Sequence, residues 1–382
     1  VKRGLGRVTR SLEEMRTLNM GGNGGRAVLV LDSACENEVR NLWNQTYVGC
    51  GSGLSEMKVT RGRYAFGTYD VFHVASCGSD SANATASRLA VTGRVEIAAG
   101  ATLTVNGSQE VTTTYGGMGV GQGIALQQAH GTSYLRGEMT IRGTYVQRYG
   151  GFYVGMGPCG DGEVVQSGVA EVMADAAKAA DAAKPGHVVI GGFGGHGRYR
   201  LTDGAFTTCK DVYVGGMRTD DVPGVAHKNA AFLDGQHAAQ GTLSVSGGTF
   251  ETKRDLILGR DGTGRLELSG GGVVKASVVT VCPAAGRPAS SVTFAGDAQG
   301  GFGTLVADTV DFAAGTKVAV DAAACPRRRT AATLMTLANG ATGRENVILE
   351  LRNADSRAQL LWSSDGKMLR YRLDLGSVVI VR

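Results

Sequence analysis

The densest group of titratable side chains outside the first 90 residues lies between residues 217 and 240. It contains two adjacent carboxylates, Asp220 and Asp221, and two imidazoles, His227 and His237. Carboxylates and imidazoles can serve as general acids and bases, so these four residues are the catalytic candidates. Adjacent aspartates would point to opposite sides of an extended segment, however, and a polar surface loop accounts for the same residues equally well. We expect a loop, with catalysis as the less favoured alternative.

A second chemical possibility is a phosphate-binding glycine loop. The segment Gly155-Met-Gly157-Pro-Cys-Gly160 matches the dinucleotide-binding pattern GxGxxG and follows a segment that reads as a strand. A proline interrupts the pattern, and the residues after it continue as a strand rather than as the helix that a phosphate site needs. Similar glycine runs at 191–197 and 259–264 occupy the same place in their repeats. We therefore predict turns at all three positions and no nucleotide cofactor.

Ligand spacings typical of metal sites do not occur in the sequence. The seven cysteines form no CxxC pair, and the six histidines form no HxH or HxxxH pair. Asp161 and Asp261 do not recur at the fixed offset of a calcium-binding repeat. We expect no metal and no cofactor. The odd number of cysteines leaves at least one unpaired thiol, while Cys35, Cys50 and Cys77 are close enough in sequence for one disulfide, with buried reduced thiols as the alternative.

The composition indicates an all-β chain. Glycine supplies 60 of the 382 residues, well above the usual share of about 7%, and 42% of the residues are apolar. Glycine at this density among Val, Thr and Leu is typical of tight turns between short strands. The net charge of +5 is spread along the chain without a basic face interleaved with aromatic residues, so no nucleic-acid partner is expected. No apolar run approaches the roughly 18 residues of a membrane span, so no transmembrane segment is expected.

Internal repeats decide the predicted architecture. Four units open with a glycine followed by alternating apolar residues and close with a short apolar strand, and in each the glycine precedes the closing strand by 15 positions. The pairs are Gly137 and Phe152, Gly197 and Val212, Gly241 and Leu256, and Gly264 and Val279. A fifth unit runs from Gly162 to Val188 over 26 positions, and its excess falls in an Ala-rich segment that favours a short helix at 173–181. A degenerate sixth unit starts at Ala101 and leads to Met118.

Such a repeat predicts a parallel β-helix, or β-solenoid. A very short strand buries too little surface alone, but stacking on the same strand of the next unit, at about 4.8 Å per rung, pairs its backbone and extends one core. The pattern predicts about eight rungs over residues 91–320. Insertions are expected at 124–136, 169–185 and 217–240, and they must leave the coil at corners because an insertion inside a strand would reverse its faces.

The two ends of the chain differ from the repeats. Residues 1–90 lack the motif, although residues 28–31 read as a strand, and we predict an N-terminal capping region there. Residues 321–382 are predicted to form a C-terminal cap rich in strands, with the clearest candidates at 333–337, 347–351 and 366–371.

The most regular repeat extends from Leu256 to Gly272. It consists of an apolar-x-apolar-Gly strand end, a glycine-rich turn and the sequence Gly-Arg-Leu-Glu-Leu-Ser-Gly-Gly. This motif resembles the repeats of bacterial autotransporter passengers and related surface adhesins, and the similarity covers about residues 90–320. The resemblance implies a non-enzymatic extracellular or cell-surface protein, structural or adhesive, whose partners would be surface glycans, matrix or other cell-surface proteins.

Two other functions fit the same coil. One is a polysaccharide lyase or glycoside hydrolase, in which carboxylates or bases line the outer groove of the β-helix, and the other is a phage tailspike-like fibre. No carboxylate is evident at a fixed place in successive repeats, which favours the adhesive function over the enzyme. The sequence also lacks a coiled-coil heptad tail, which weighs against the fibre.

Overall fold

Alternating apolar and polar residues, interrupted by glycines, fold this chain into short strands that stack in parallel. The computed structural model describes residues 17–21, 26–33, 39–41, 45–49, 53–66, 71–76, 90–106, 117–122, 134–157, 160–175, 187–217, 239–282, 288–298, 301–324 and 331–373. These residues form an all-β coil, a parallel β-solenoid, as the repeat predicts. A full rung contributes a first, a second and a third strand, and the strands of each kind stack on one another.

The first strands of the rungs form one parallel sheet of 11 members, which we call the first sheet. Its strands, in chain order, are β2 (Arg26–Asp32), β5 (Gly53–Arg61), β8 (Ala90–Ile97), β11 (Tyr134–Ile141), β14 (Gly160–Gln166), β17 (His196–Leu201), β20 (Ala239–Val245), β23 (Gly262–Leu268), β25 (Ser291–Ala295), β27 (Lys317–Asp321) and β29 (Ile348–Arg352). Eight of them, from β8 to β27, fall within residues 90–321, which matches the number of rungs predicted from the repeat.

The second and third strands form two further stacks that belong to one hydrogen-bonded sheet. The second strands are β3 (Val39–Asn41), β6 (Arg63–Phe66), β9 (Thr102–Val105), β12 (Thr144–Gln147), β15 (Val169–Val172), β18 (Ala205–Thr208) and β21 (Thr249–Thr252). The third strands are β1 (Thr17–Met20), β4 (Gln45–Val48), β7 (Val71–Ser76), β10 (Gly117–Gln122), β13 (Gly151–Met156), β16 (Val188–Gly192), β19 (Val212–Val214) and β22 (Leu256–Leu258). From β24 (Val273–Val281) onwards the two stacks merge into one long strand per rung, followed by β26 (Thr304–Phe312) and β28 (Ala331–Thr342).

The register of the coil follows the glycine spacing of the sequence. The repeat glycines stand opposite one another in the first sheet, and this column contains Gly137, Gly162, Gly197, Gly241 and Gly264. The closing residues form a second column in the third stack, which contains Phe152, Val188, Val212, Leu256 and Val279. The offset of 15 positions is therefore the length of chain from the first strand to the third. The longer fifth unit keeps the register because its extra residues lie between β15 and β16.

Inward-facing side chains fill the coil. Leu243 and Leu266 stand opposite each other on adjacent first strands and are fully buried. The rings of Phe206 and Phe250 stack across successive second strands, with their centroids 4.3 Å apart and their planes within 3° of each other. The ring of Tyr199 packs edge-on against both. The parallel pairing of these strands excludes an antiparallel sandwich, which is the fold that would contradict a solenoid.

The coil extends further towards the N terminus than the sequence motif indicates. Strands β1 to β7 pair in parallel with one another and with the rungs that follow, although the sequence predicts a separate capping region for residues 1–90. Ser55 takes the place of the repeat glycine, opposite Gly93, and its side chain is fully buried. The motif fails in these rungs because the glycine on which it depends is replaced.

Other boundaries also differ from the sequence prediction. The start of the sixth unit was predicted one strand too late. Residues 101–107 contain the second strand β9, whereas the first strand of that rung is β8, in which Gly93 stands opposite Gly137. The insertions predicted at 124–136, 169–185 and 217–240 each include strand residues, since parts of β11, β15 and β20 fall within them. Most of the short helix predicted at 173–181 lies outside the described residues.

The C-terminal end departs from the parallel coil. Strands β27 and β29 continue the first sheet in parallel, whereas β31 (Met368–Leu373) pairs antiparallel with β28 and with β30 (Ala358–Trp362). The indole of Trp362 packs against Phe312, with ring centroids 6.2 Å apart, so this hairpin covers part of the core. The strands predicted at 333–337, 347–351 and 366–371 are confirmed as β28, β29 and β31.

Helical structure in the described residues is limited to one 3₁₀ turn at Arg344–Asn346. Within the same residues, no helix has the length and apolar character needed to cross a membrane. This finding agrees with the lack of a long apolar run in the sequence.

Candidate functional site

The four catalytic candidates from the sequence, Asp220, Asp221, His227 and His237, lie outside the described residues. Their role therefore stays a prediction. The described residues contain two other groups of charged side chains with defined geometry. One is a series of ion pairs on the outer face of the first sheet, and the other is a pair of carboxylates at a corner before the third strands.

The glycine-rich motif at 155–160 begins in the last residues of the third strand β13 and ends at the first residue of the first strand β14, so it links two strands at a corner of the coil. Gly155 has a left-handed backbone with φ 66°, and a β-carbon there would lie 1.8 Å from the carbonyl oxygen of His196, the first residue of the first strand β17. Gly191 repeats this geometry one rung later, with φ 71° and a distance of 2.0 Å to the carbonyl oxygen of Gln240. Close contact between the backbones of third strands and first strands therefore accounts for these glycines without a phosphate ligand.

The outer face of the first sheet carries a series of ion pairs that we call the ion-pair ladder. Its members are Arg94, Arg136, Glu138, Asp161, Glu163, Arg198 and Arg200. Arg136 lies at its centre, and its guanidinium is 2.5 Å from Glu138, 3.1 Å from Asp161 and 3.4 Å from Glu163. Arg198 contacts the other oxygen of Asp161 at 3.0 Å. Each carboxylate of the ladder is thus shared between two guanidinium groups on different strands.

The ion-pair ladder favours the ionised form of Glu138. Burial raises the pKa of Glu138, but hydrogen bonds from Arg136 and Arg94 outweigh burial and leave the pKa below its usual value. A general acid must instead hold its proton near neutral pH. Glu138 is therefore unsuited to act as a general acid.

Acidification is expected to remove the contribution of Glu138 to stability. Because the pKa of Glu138 is lower in the folded chain than in the unfolded chain, its contribution is present above the unfolded-state pKa and is lost as the pH falls through the folded-state pKa. Glu138→Gln should lower the free energy of unfolding by about 1 kcal/mol at neutral pH, with the difference disappearing near pH 3. Urea unfolding of both proteins at the two pH values measures this change.

Glu267→Gln is the control for this prediction, because Glu267 lies outside the ladder and accepts a hydrogen bond from Ser244. Its cost at neutral pH should be smaller, because it removes one hydrogen bond and no ion pair of the ladder. An equal cost of Glu138→Gln at neutral and acidic pH would show that ion pairing does not stabilise this face.

A pair of carboxylates lies at the corner that precedes the third strands. Asp211 comes directly before β19 and Asp255 directly before β22, so the two residues stand on adjacent rungs. Arg254 contacts Asp211 at 3.1 Å, and the backbone N–H of Asp255 donates to the same carboxylate at 3.4 Å. Burial raises the pKa of Asp255, and the charge of Asp211 raises it further, although Arg254 opposes both. A carboxyl group with a raised pKa can act as a general acid beside a second carboxyl group.

His187 stands at the same corner, one rung before Asp211. It directly precedes β16, and the N–H of Val188 donates to the carbonyl oxygen of Asp211. Its imidazole packs edge-on against the ring of Tyr213, with centroids 5.4 Å apart. We call His187, Asp211 and Asp255 the corner column, since it brings an imidazole and two carboxyl groups onto three successive rungs.

The corner column was not predicted from the sequence. No carboxylate was expected at a fixed place in successive repeats, yet Asp211 and Asp255 each lie 14 positions after a repeat glycine, Gly197 and Gly241 respectively. An alignment of the units on that glycine shows both. The prediction that the repeats lack a recurring carboxylate was therefore wrong for these two rungs.

The described residues contain no group of three or more His, Cys, Asp or Glu side chains placed to hold a metal ion. Cys209 and Cys282 are buried and form no disulfide. The cysteines considered for a disulfide, Cys35, Cys50 and Cys77, lie outside the part of the chain that the structure describes.

No protein-family model, no curated protein and no solved structure matches the chain. Its class therefore follows from its own register of strands. The chain is a parallel β-solenoid with a charged outer face on the first sheet and a column of titratable groups at one corner.

Proposed function

We propose that this chain is a non-enzymatic extracellular or cell-surface β-solenoid with a structural or adhesive role. The observation that supports this proposal most strongly is the outer face of the first sheet. Its 11 parallel strands present their outward side chains as one ordered surface, and guanidinium groups form ion pairs with the ladder carboxylates. A long surface of this kind can contact a partner at many points, as the extended faces of repeat proteins do.

The sequence motif supports the same proposal. The repeat from Leu256 to Gly272 resembles those of bacterial autotransporter passengers and related adhesins, and a parallel coil is the fold that this resemblance implies. The resemblance favours an extracellular or cell-surface location. Surface glycans, matrix or other cell-surface proteins would then be the partners.

Binding without turnover is the expected behaviour. The intact chain should bind to immobilised glycans or cells and should release no reducing ends or unsaturated sugars from a panel of polysaccharides. A chain lacking residues 219–238 should keep most of this binding, because the outer faces of the rungs remain. The deletion leaves six positions from Gly215 to Gly241, the same spacing as from Gly191 to Gly197, so the rung can close.

The deletion also removes Asp220, Asp221, His227 and His237 together. Turnover of a polysaccharide by the intact chain, abolished by the deletion, would overturn the proposal and assign the reaction to that segment. Failure of the intact chain to bind any glycan or cell surface would contradict the adhesive role.

A second candidate function is cleavage of a polysaccharide at the corner column. The raised pKa of Asp255 beside Asp211 is the observation that favours it. In a glycoside hydrolase, Asp255 would donate a proton to the leaving oxygen, and Asp211 would act as the base or nucleophile. Turnover that is lost in Asp255→Asn but kept in Asp203→Asn, an exposed turn residue on the preceding rung, would establish this function in place of the first.

A further inference from the structure

The outward charges of the first sheet are unevenly distributed along the coil. From β5 to β14 five carboxylates face four cations, namely Glu56, Glu96, Glu138, Asp161 and Glu163 against Lys58, Arg61, Arg94 and Arg136. From β17 to β27 basic residues predominate, namely Arg198, Arg200, Arg265 and Lys317 against Glu267 and Asp321. The outer face of the first sheet therefore has an excess of cations from β17 to β27.

One column in this basic half alternates cations with hydroxyl groups. Five residues stand opposite one another on successive first strands from β17 to β27, namely Arg198, Thr242, Arg265, Ser291 and Lys317. We call this column the cation–hydroxyl row. At about 4.8 Å per strand, neighbouring cations are about 9.6 Å apart along the coil axis, with a short hydroxyl side chain between them.

The middle of the cation–hydroxyl row is available to a ligand. Within the described residues, neither the guanidinium of Arg265 nor the hydroxyl groups of Thr242 and Ser291 have a hydrogen-bond or ion-pair partner. Arg198 contacts Asp161 at 3.0 Å and Lys317 contacts Glu350 at 3.4 Å, but each of these two side chains remains 46% exposed. A guanidinium has five N–H donors, so Arg198 keeps donors for a further anion.

We propose that the cation–hydroxyl row binds an anionic polysaccharide lying along the coil axis. Uronate or sulfate groups would contact Arg265 and the cations on either side of it, because a guanidinium offers paired N–H donors to planar and tetrahedral oxyanions. The short side chains of Thr242 and Ser291 leave room for sugar rings between the longer cations, and their hydroxyl groups can bond to sugar hydroxyls. The distance between cations is comparable to the length of two linked sugars. This inference rests on the proposed adhesive function and names its ligand class.

Three polysaccharides test the charge requirement with the full chain. Dextran sulfate and dextran share a neutral backbone and differ in sulfate groups, while polygalacturonate carries carboxylates instead. We expect dextran sulfate, polygalacturonate or both to bind at low salt, with weaker binding as ionic strength rises, and dextran not to bind. Which of the two anionic glycans binds more tightly distinguishes sulfate from uronate as the natural group.

Substitutions test the position of the site. Arg265→Gln should weaken binding of the anionic glycan by about tenfold, the loss expected for one charge-assisted contact. Arg265→Lys should restore part of the affinity, because it keeps the charge but not the paired donors. Lys275→Gln is the matched control, since Lys275 is an exposed cation on the face of the second strands, outside the row, and its loss should leave binding unchanged.

Several outcomes would overturn this inference. Equal binding of dextran and dextran sulfate would show that binding does not require charged groups on the glycan. Equal effects of Arg265→Gln and Lys275→Gln would show that the cation–hydroxyl row is not the binding site. Tighter binding of single-stranded DNA than of either anionic glycan would assign the row to nucleic acid. If cells or neutral glycans bind and Arg265→Gln does not change that binding, the proposed role of the cation–hydroxyl row is wrong, while the adhesive function stands. If no surface binds, the adhesive function fails as well.

Discussion

Leu266→Asp should lower the free energy of unfolding by about 4 kcal/mol or more. Leu266 is fully buried and stands between Leu243 and Val292 on the neighbouring first strands. The substitution removes a packed apolar side chain and places a carboxyl group in an apolar layer, where its charged form is strongly disfavoured. Urea unfolding followed by far-ultraviolet circular dichroism measures the loss.

Glu267→Lys is the matched control for Leu266→Asp. Glu267 is the next residue and points outward, where it accepts a hydrogen bond from Ser244 at 2.7 Å. A charge reversal at an exposed position should change the free energy of unfolding by less than about 0.5 kcal/mol. Equal losses for the two variants would contradict the register of β23, because a shift by one residue exchanges the two faces of a strand.

The inward orientation of Leu266 and the outward orientation of Glu267 could be predicted from the sequence, because each turn of a coil places its strands directly over those of the previous turn. Gly264 and Val279 keep the same offset as Gly241 and Leu256, and that offset is the chain length between the first and third strands. Because the rungs stack, a regular spacing of glycines in the sequence predicts which residues pair on adjacent strands, even where no side-chain contact is known. The number of rungs and the parallel pairing follow from the same regularity.

The spacing could not predict positions where another residue type fits the same geometry. Ser55 takes the place of a repeat glycine, so the rungs before β8 carry no recognisable motif. Gln166 occupies an inward position where alternation predicts an apolar residue. Its amide donates to the carbonyl oxygens of Gly168 and Ala205 and accepts a hydrogen bond from Tyr199. A buried polar side chain is tolerated there because these partners satisfy it, which alternation alone does not reveal.

The candidate sites were less predictable than the fold. Asp211 and Asp255 are distant in sequence and become neighbours only when rungs with insertions of different length are placed in register. The cation–hydroxyl row depends on the same register, because Arg198 and Arg265 belong to units separated by the longest insertion. Local density of titratable residues instead pointed to 217–240. A high local density of titratable residues in the sequence is a poor predictor of a site in a solenoid, because each face of the coil contains residues from many rungs.

Gly241→Ala should be nearly as damaging as Leu266→Asp, although it adds only a methyl group. A β-carbon at Gly241 would lie 2.1 Å from the carbonyl oxygen of Ile190 and 2.2 Å from the amide nitrogen of Gly215. Ile190 lies in the third strand β16 and Gly215 directly follows the third strand β19, so the clash can be relieved only by moving the first sheet away from the third strands. We expect the free energy of unfolding to fall by about 3 kcal/mol or more, measured by urea unfolding.

Gly271→Ala separates this steric effect from the conformational preference of glycine. Gly271 has a left-handed backbone with φ 77°, but no atom lies within 4 Å of the position of its β-carbon. Its replacement should cost about 1 kcal/mol, the usual penalty for an L side chain in that conformation. Gly241 has no left-handed φ, so its larger cost would come from contact with the backbone of the third strands. If Gly241→Ala cost no more than Gly271→Ala, close approach of the backbones would not be the reason that glycine recurs at the start of each unit.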